Sequence, residues 1–160
     1  MTETLTKHER NVSSIIHAST FSKFFIPFGN FIVPLVLWTA NKKESEFVDD
    51  NGKQALNFQI SLLLYSILIG MVSLPFVLAG ILPNIFDVDH LSFSTIQGFN
   101  SANFHFDSDD FFGPWMIPVA ILGVAQSALF IINVVYTILA TIRTNEGQPF
   151  QYPITIKFIK

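Results

Sequence analysis

Hydrophobic and polar residues in this chain are separated into long blocks, and two of these blocks are apolar and uncharged. They cover residues 56–82 and 114–142. Each is long enough to cross the ~30 Å hydrocarbon core of a bilayer as an α-helix that rises 1.5 Å per residue. The pattern therefore predicts an all-α membrane protein with two transmembrane helices, at 56–82 and 114–142.

A third apolar block, residues 12–40, is interrupted by Lys23, two prolines and the adjacent Gly29 and Asn30. One interpretation is a single span over residues 24–40, which with about seventeen residues reaches the lower limit for crossing a bilayer. The other is an N-terminal re-entrant hairpin or a pair of short spans, because proline and glycine break helices. Both interpretations are compatible with the hydrophobic pattern alone.

The distribution of basic residues separates these two interpretations, because short cytoplasmic loops are enriched in Lys and Arg. The chain has nine Lys and Arg residues. A single crossing at 24–40 leaves three of the nine on the far side of the membrane, whereas the hairpin places all nine on one side. We therefore favour the hairpin in a bacterial inner membrane, with both termini in the cytoplasm; an N-out or dual topology is the alternative.

The organisation that follows has two parts. Residues 1–11 form a polar N-terminal tail, and residues 12–160 form a single helical membrane domain. Within the domain, residues 83–113 are a non-cytoplasmic loop and residues 143–160 a cytoplasmic C-terminal tail. The first twenty residues lack the apolar stretch of a signal peptide, so insertion depends on the internal segments.

The loop at 83–113 is acidic, with five Asp and no Lys or Arg. Residues 91–96 and 103–107 alternate between polar and apolar on either side of turn-forming residues, which predicts a small β-hairpin within 84–113. The carboxylates, with His90 and His105, are potential ligands for a divalent cation. Their spacing lacks the glycine and distal Glu of an EF-hand, so we predict a solvated acidic loop and no metal site.

Uncharged polar side chains recur at helical spacing on both predicted spans. Gln54, Asn57, Ser61 and Tyr65 share one face of the first span, and Gln126, Asn133 and Thr137 form a similar stripe on the second. We expect these groups to pack helices together through hydrogen bonds worth about 0.6 kcal/mol each. A polar cavity that binds or conducts a small solute is the alternative.

The charged segment 44–59 leads directly into the first span. Phe47 lies on a predicted short surface helix, and Asp50, Asn51 and Gly52 offer a turn or helix start before the span. We expect this segment to be a docking surface. The complete set of candidate interaction or helix-packing residues is Phe47, Gln54, Asn57, Gln59, Ser61, Tyr65, Gln126 and Asn133.

Composition limits the chemistry of the chain. Hydrophobic residues make up 50% and charged residues 13%, against about a quarter charged in soluble domains. The absence of cysteine excludes disulfides and thiolate chemistry, and a net charge of -3 with scattered basic residues argues against nucleic-acid binding. His17 lies near several serines but without a third catalytic member. We therefore predict no enzymatic activity and no cofactor.

Short motifs near the two ends of the chain suggest a family. The stretch FIPFGNFIVPLVLW at residues 25–38, the run EFVDDNGKQALNFQIS, Gly147 and the Tyr152-Pro153 pair resemble the small bacterial membrane proteins called domain of unknown function 4870. That family is distantly similar to the Tic-twenty subunit of the chloroplast protein-import machinery. The resemblance implies an α-helical membrane fold with three to four hydrophobic segments and no catalytic residues.

Taken together, the sequence predicts a non-enzymatic integral membrane protein that acts as an interaction, accessory or assembly subunit of a larger complex. Its expected partners are the lipid bilayer and either another membrane protein or further copies of itself. The alternative function is a small oligomeric transport or channel-like protein that uses the uncharged polar helix faces.

Overall fold

The chain is helical in a computed structural model that describes residues 5–85 and 116–160, and neither range contains a strand. The elements are α1 (Lys7–Ala18), a 3-10 helix (Ser19–Phe24), α2 (Gly29–Asn41), α3 (Glu46–Ile85) and α4 (Met116–Asn145). The all-α prediction is confirmed for the described chain. The two strands predicted at 91–96 and 103–107, and the acidic residues around them, lie outside the described residues.

Helix α1 begins at Lys7, within the segment that was predicted to be a polar tail, because a capping box stabilises its first turn. The Glu9 amide donates to the Thr6 hydroxyl (3.2 Å), and the Glu9 carboxylate accepts from the Thr6 amide (2.7 Å). These two bonds satisfy backbone donors that the first turn of a helix leaves unpaired.

The apolar block 12–40 does not form one continuous helix. Helix α1 and the 3-10 helix run to Phe24, the chain then turns with Phe28 in the left-handed region (φ 58°), and α2 starts at Gly29. A Cβ at Gly29 would lie 2.7 Å from the Ser22 carbonyl, so the tight turn requires glycine. Helix α2 has 13 residues, about 20 Å, which is too short to cross a bilayer. A single continuous helix over residues 24–40 therefore does not form, whereas the side of the membrane on which the block begins and ends stays a prediction.

Helix α3 starts ten residues earlier than the predicted span, and the turn predicted at residues 50–52 does not form. Gly52 lies inside the helix, where any Cβ would collide with the Trp38 ring of α2. The Trp38 indole donates to the Asp49 carboxylate (2.8 Å), which also pairs with Lys53 (2.6 Å). Gly52 therefore allows a close approach of α2 to α3 and does not end a helix.

The described residues fall into two compact units. The first comprises the chain up to Ser66 together with Ala128–Lys160. Its apolar core has two parts, one around Ile16, Trp38 and Val48, the other around Phe58, Leu62, Ala140 and Tyr152. Helices α1, α2 and the N-terminal half of α3 thus share a core with the C-terminal half of α4.

The second unit is Ile67–Ser127, of which the structure describes the remaining parts of α3 and α4. Its apolar side chains are largely exposed, for example Met71 at 66% and Val124 at 70%. Two helical segments, Glu46–Leu78 and Met116–Asn145, are long and apolar enough to cross a membrane. Apolar side chains that face outward in this way are typical of lipid-exposed helices.

Candidate functional site

A buried polar network joins α1, α3, α4 and the C-terminal tail of the first unit. His17 Nε2 lies 3.0 Å from Asn51 Oδ1, and the Tyr152 hydroxyl lies 2.9 Å from His17 Nδ1. The Thr144 hydroxyl also donates to Asn51 Oδ1 (3.2 Å), and Asn51 Nδ2 donates to the Phe47 carbonyl (2.8 Å). We call His17, Asn51, Thr144 and Tyr152 the closed network. Each of these four side chains is buried.

The protonation of the closed network follows from its geometry. Burial lowers the pKa of His17 to about 4, with the Asn51 hydrogen bond opposing the shift, and burial raises the pKa of Tyr152. An uncharged His17 with its proton on Nε2 donates to Asn51 and accepts from the Tyr152 hydroxyl. Donors and acceptors therefore match at near-neutral pH without any charged group.

Stacking holds Tyr152 in this network. Its ring lies 4.0 Å from the Phe58 ring, centroid to centroid, and nearly parallel to it at 14°. The Phe150 ring meets Tyr152 edge-on at 5.1 Å. Tyr152 is thus fixed by both its ring and its hydroxyl, and it anchors the C-terminal tail to the helical core.

Beyond Tyr152 the tail runs along α3 as an irregular segment, residues 154–159, which we call the strap. Asn57 binds it through three hydrogen bonds: Nδ2 donates to the Ile159 carbonyl (2.9 Å), and Oδ1 accepts from the amides of Phe158 (3.1 Å) and Ile159 (2.8 Å). Ser61 accepts from the Ile156 amide (2.8 Å). Two adjacent turns of α3 therefore hold the backbone of the strap.

Tyr65 is the third α3 residue that binds the strap, and its hydroxyl donates to the Ile154 carbonyl (2.8 Å). Ile154 has a left-handed backbone (φ 57°), a conformation that a β-branched residue adopts only when its surroundings enforce it. The strap makes no strand or helix of its own. Side chains of α3 consequently satisfy the backbone groups that regular secondary structure would otherwise pair.

A second polar group, the Lys23 cluster, consists of the buried Gln59 and Asn133 with the half-buried Lys23 and Asn30. Gln59 Oε1 accepts from the side-chain amides of Asn30 (3.1 Å) and Asn133 (3.1 Å). The Lys23 ammonium donates to Asn133 Oδ1 (3.0 Å). Gln59 is 2% exposed, and its Nε2 has no hydrogen-bond partner in the described chain.

The predicted interaction residues occupy different positions in this arrangement. Asn57, Ser61 and Tyr65 hold the strap, whereas Gln59 and Asn133 meet in the Lys23 cluster. Phe47 is half-buried in the first turns of α3 and contributes its carbonyl to the closed network. Gln54 is half-buried on α3, and Gln126 is an exposed residue of α4 in the second unit.

Six residues that the structure places in these groups were not among the predicted site residues: His17, Lys23, Asn30, Asn51, Thr144 and Tyr152. His17 and Tyr152 are separated by 135 positions in the sequence, so no local spacing connects them. Lys23 was treated only as an interruption of an apolar block. A lone Lys inside such a block was the available signal for this site, because a charge in an apolar stretch needs a partner.

The chemistry that these groups support is hydrogen bonding. Among residues 5–85 and 116–160, no three His, Cys, Asp or Glu side chains are grouped closely enough to hold a metal ion. Both ring nitrogens of His17 are engaged, Nε2 by Asn51 and Nδ1 by Tyr152. The arrangement organises a helical unit and its strap.

The whole-chain comparisons identify a family. The model of the MamF/MmsF magnetosome magnetite crystal formation protein family matches residues 8–159. Because this match covers almost the entire chain, the protein belongs to that family. No curated protein and no solved structure matches the chain.

The resemblance to domain of unknown function 4870 and to the Tic-twenty subunit is therefore wrong. Its motifs are short, rich in apolar residues, proline and glycine, and lie within the region that the family model covers. Motifs of this kind mark helix breaks and turns in many small membrane proteins. They did not discriminate between families. The family match and the two apolar helices together indicate a membrane protein.

Proposed function

We propose that this protein is a non-enzymatic accessory subunit of the membrane that surrounds a growing magnetite crystal. The observation that carries the proposal is the family match over residues 8–159. The geometry supports it, because the buried side chains of His17, Asn51 and Tyr152 make hydrogen bonds that join helices to the C-terminal tail. Those of Asn57 and Ser61 hold the strap in place. The protein contributes a rigid membrane-anchored scaffold.

The proposed topology places both termini and eight of the nine basic residues in the cytoplasm, with Lys23 inside the re-entrant N-terminal hairpin. The acidic loop at 83–113 then faces the mineral, with five Asp and no Lys or Arg. Carboxylate oxygens are suitable ligands for hard cations such as the iron ions of an oxide surface. A solvated loop offers many weak contacts to such a surface without binding a discrete ion.

The alternative function, a small oligomeric transport or channel-like protein, depends on open polar helix faces. The face formed by Asn57, Ser61 and Tyr65 is covered by the strap of the same chain. Asn133, on the second stripe, is engaged by Gln59 and Lys23. These contacts remove the main support for a conducting path and favour the accessory role.

The test is complementation of a magnetite-forming bacterium that lacks its own family member. We expect the wild-type chain to restore crystal size, measured by electron microscopy, and a variant with Asn at all five loop Asp positions to restore it only in part. The matched control changes a charge outside both the loop and segment 44–59, Glu146→Gln at an exposed position, and should restore size fully. No restoration by the wild-type chain would contradict the accessory role, and full restoration by the loop variant would contradict the proposed role of the loop.

A further inference from the structure

The Lys23 ammonium contacts one side-chain amide and two aromatic rings. It donates to Asn133 Oδ1 at 3.0 Å, and it lies over the rings of Phe24 (5.2 Å) and Phe130 (5.4 Å). Both rings contribute cation-π attraction. Lys23 itself is only half-buried, and the two rings are 56% and 52% exposed. The site is therefore open on one side.

The depth of this site follows from α4. Asn133 precedes Arg143 by ten residues, about 15 Å along a helix. Between them the outward side chains are apolar and exposed, including Val135, Ile138 and Ile142. Placing Arg143 at the interface, as the proposed topology does, puts Asn133 and its partner Lys23 close to the middle of a ~30 Å hydrocarbon core. An ionisable group at this depth indicates a function and requires a partner.

The described chain supplies no carboxylate to this ammonium. Its two ion pairs join His8 to Glu44 and Lys53 to Asp49. Gln59 Nε2, buried beside Asn133, is a further donor without an acceptor. The Lys23 cluster thus has more donors than acceptors and one positive charge, which is the complement of an anionic oxygen group.

We infer that Lys23 is the docking point for an Asp or Glu carboxylate on a membrane-spanning helix of a different protein. A second copy of this chain does not provide such a group, since residues 54–86 and 114–142 contain no Asp or Glu. Lipid phosphates lie outside the hydrocarbon core, well above this depth. A helix that brings its carboxylate to Lys23 also covers the exposed rings of Phe24 and Phe130.

This inference rests on the accessory role proposed above and specifies the chemistry of the partner. The experiment isolates the N-terminally tagged full chain from native membranes in mild detergent and quantifies a co-isolated membrane protein. Lys23→Met, which keeps the apolar stem and removes the charge, should reduce the partner at least tenfold. Lys23→Arg should retain it, and Lys43→Met, a change at an exposed lysine, is the matched control.

The second variant is made in the partner protein, so that this chain stays unchanged. Replacing the intramembrane Asp or Glu of the co-isolated protein by Asn or Gln should produce the same tenfold loss. Pairing Lys23→Glu with a Lys at the partner's acidic position should restore the complex. A photoreactive phenylalanine analogue at Phe130 should crosslink to the same helix.

Four results would overturn the inference: full retention of the partner by Lys23→Met, a partner without an acidic residue in its spans, crosslinking of Phe130 to lipid alone, or recovery of the chain only with itself. Its failure is distinguishable from failure of the proposed function. Normal crystal complementation with a partner independent of Lys23 rejects only the inference. A Lys23-dependent partner without any effect of the chain on crystals rejects only the function.

Discussion

The closed network, which is buried, and the Lys23 cluster, which is partly exposed, belong to the same helical unit and differ in how completely their hydrogen bonds are made. In the closed network, both nitrogens of His17 and both polar atoms of Asn51 have partners. In the Lys23 cluster, Gln59 Nε2 has none, and Lys23 has no carboxylate within the described chain. A satisfied network stabilises a fold, whereas an unsatisfied one is available for binding.

The largest loss of stability should come from Tyr152→Ala in the closed network. It removes a ring stacked on Phe58 and leaves His17 Nδ1 without a donor. We expect a loss of about 3–5 kcal/mol in the free energy of unfolding, measured by thermal or denaturant unfolding in a fixed detergent. Tyr152→Phe keeps the ring and should lose about 1–3 kcal/mol. Equal losses for the two variants would show that stacking contributes nothing.

The second effect is a pH dependence below pH 6.5 that the closed network should produce and the Lys23 cluster should not. His17 has a pKa of about 4 in the folded protein, against an ordinary value of 6.5. The unfolded chain therefore binds the proton first as the pH falls. The contribution of His17 to the free energy of unfolding is complete above pH 6.5 and declines between pH 6.5 and about 4. It amounts to about 3 kcal/mol at most.

Unfolding free energies measured from pH 7.5 to 4.5 test this expectation. The control is His17→Gln, which is less stable at every pH but lacks the titrating group. We expect its slope with pH across this window to be shallower than that of the wild type. Parallel curves for the two proteins would exclude His17 as the source of the pH dependence.

A smaller effect should follow from Asn57→Ala, which leaves the Phe158 and Ile159 amides and the Ile159 carbonyl without their partner. We expect a loss of about 1–3 kcal/mol and faster tryptic cleavage after Lys157, followed by mass spectrometry. Gln54→Ala, at a half-buried position one turn away on α3, should change stability by less than about 0.5 kcal/mol. Unchanged cleavage in Asn57→Ala would mean that the strap is held elsewhere.

The smallest effect should come from Gln59→Leu in the Lys23 cluster. The substitution removes hydrogen bonds from Asn30 and Asn133, each worth about 0.6 kcal/mol in membrane helices. It also removes the unpaired Nε2, so the net loss should stay below about 1 kcal/mol by the same unfolding assay. A loss as large as that of Tyr152→Ala would show that the Lys23 cluster stabilises the fold as much as the closed network does, and would contradict the difference between them.

The sequence predicted the parts of the fold that depend on local composition. The all-α class and the two long apolar helices follow from hydrophobic block length, and both are confirmed by the described residues. The N-terminal break follows from the special backbone of proline and glycine. The start of α3 was misplaced because Gly52, which usually signals a turn, here makes room for Trp38.

The candidate site was only partly predictable because its contacts are distant in sequence. Helical spacing placed Asn57, Ser61 and Tyr65 on one face, but their partners in the strap are 89–102 positions away. Side-chain periodicity indicates which residues share a face and says nothing about a segment that pairs only through its backbone. The family followed from a model over residues 8–159 and not from the short motifs.

The strap also has a consequence for the order of events during synthesis. The α3 residues that bind the strap are made about a hundred positions before residues 154–159. Until the strap has been made, Asn57, Ser61 and Tyr65 lack the backbone groups that they bind in the complete unit. The native unit therefore closes only after residues 154–159 have left the ribosome, and a chain that stops short of residue 154 leaves these three polar side chains of α3 without those partners.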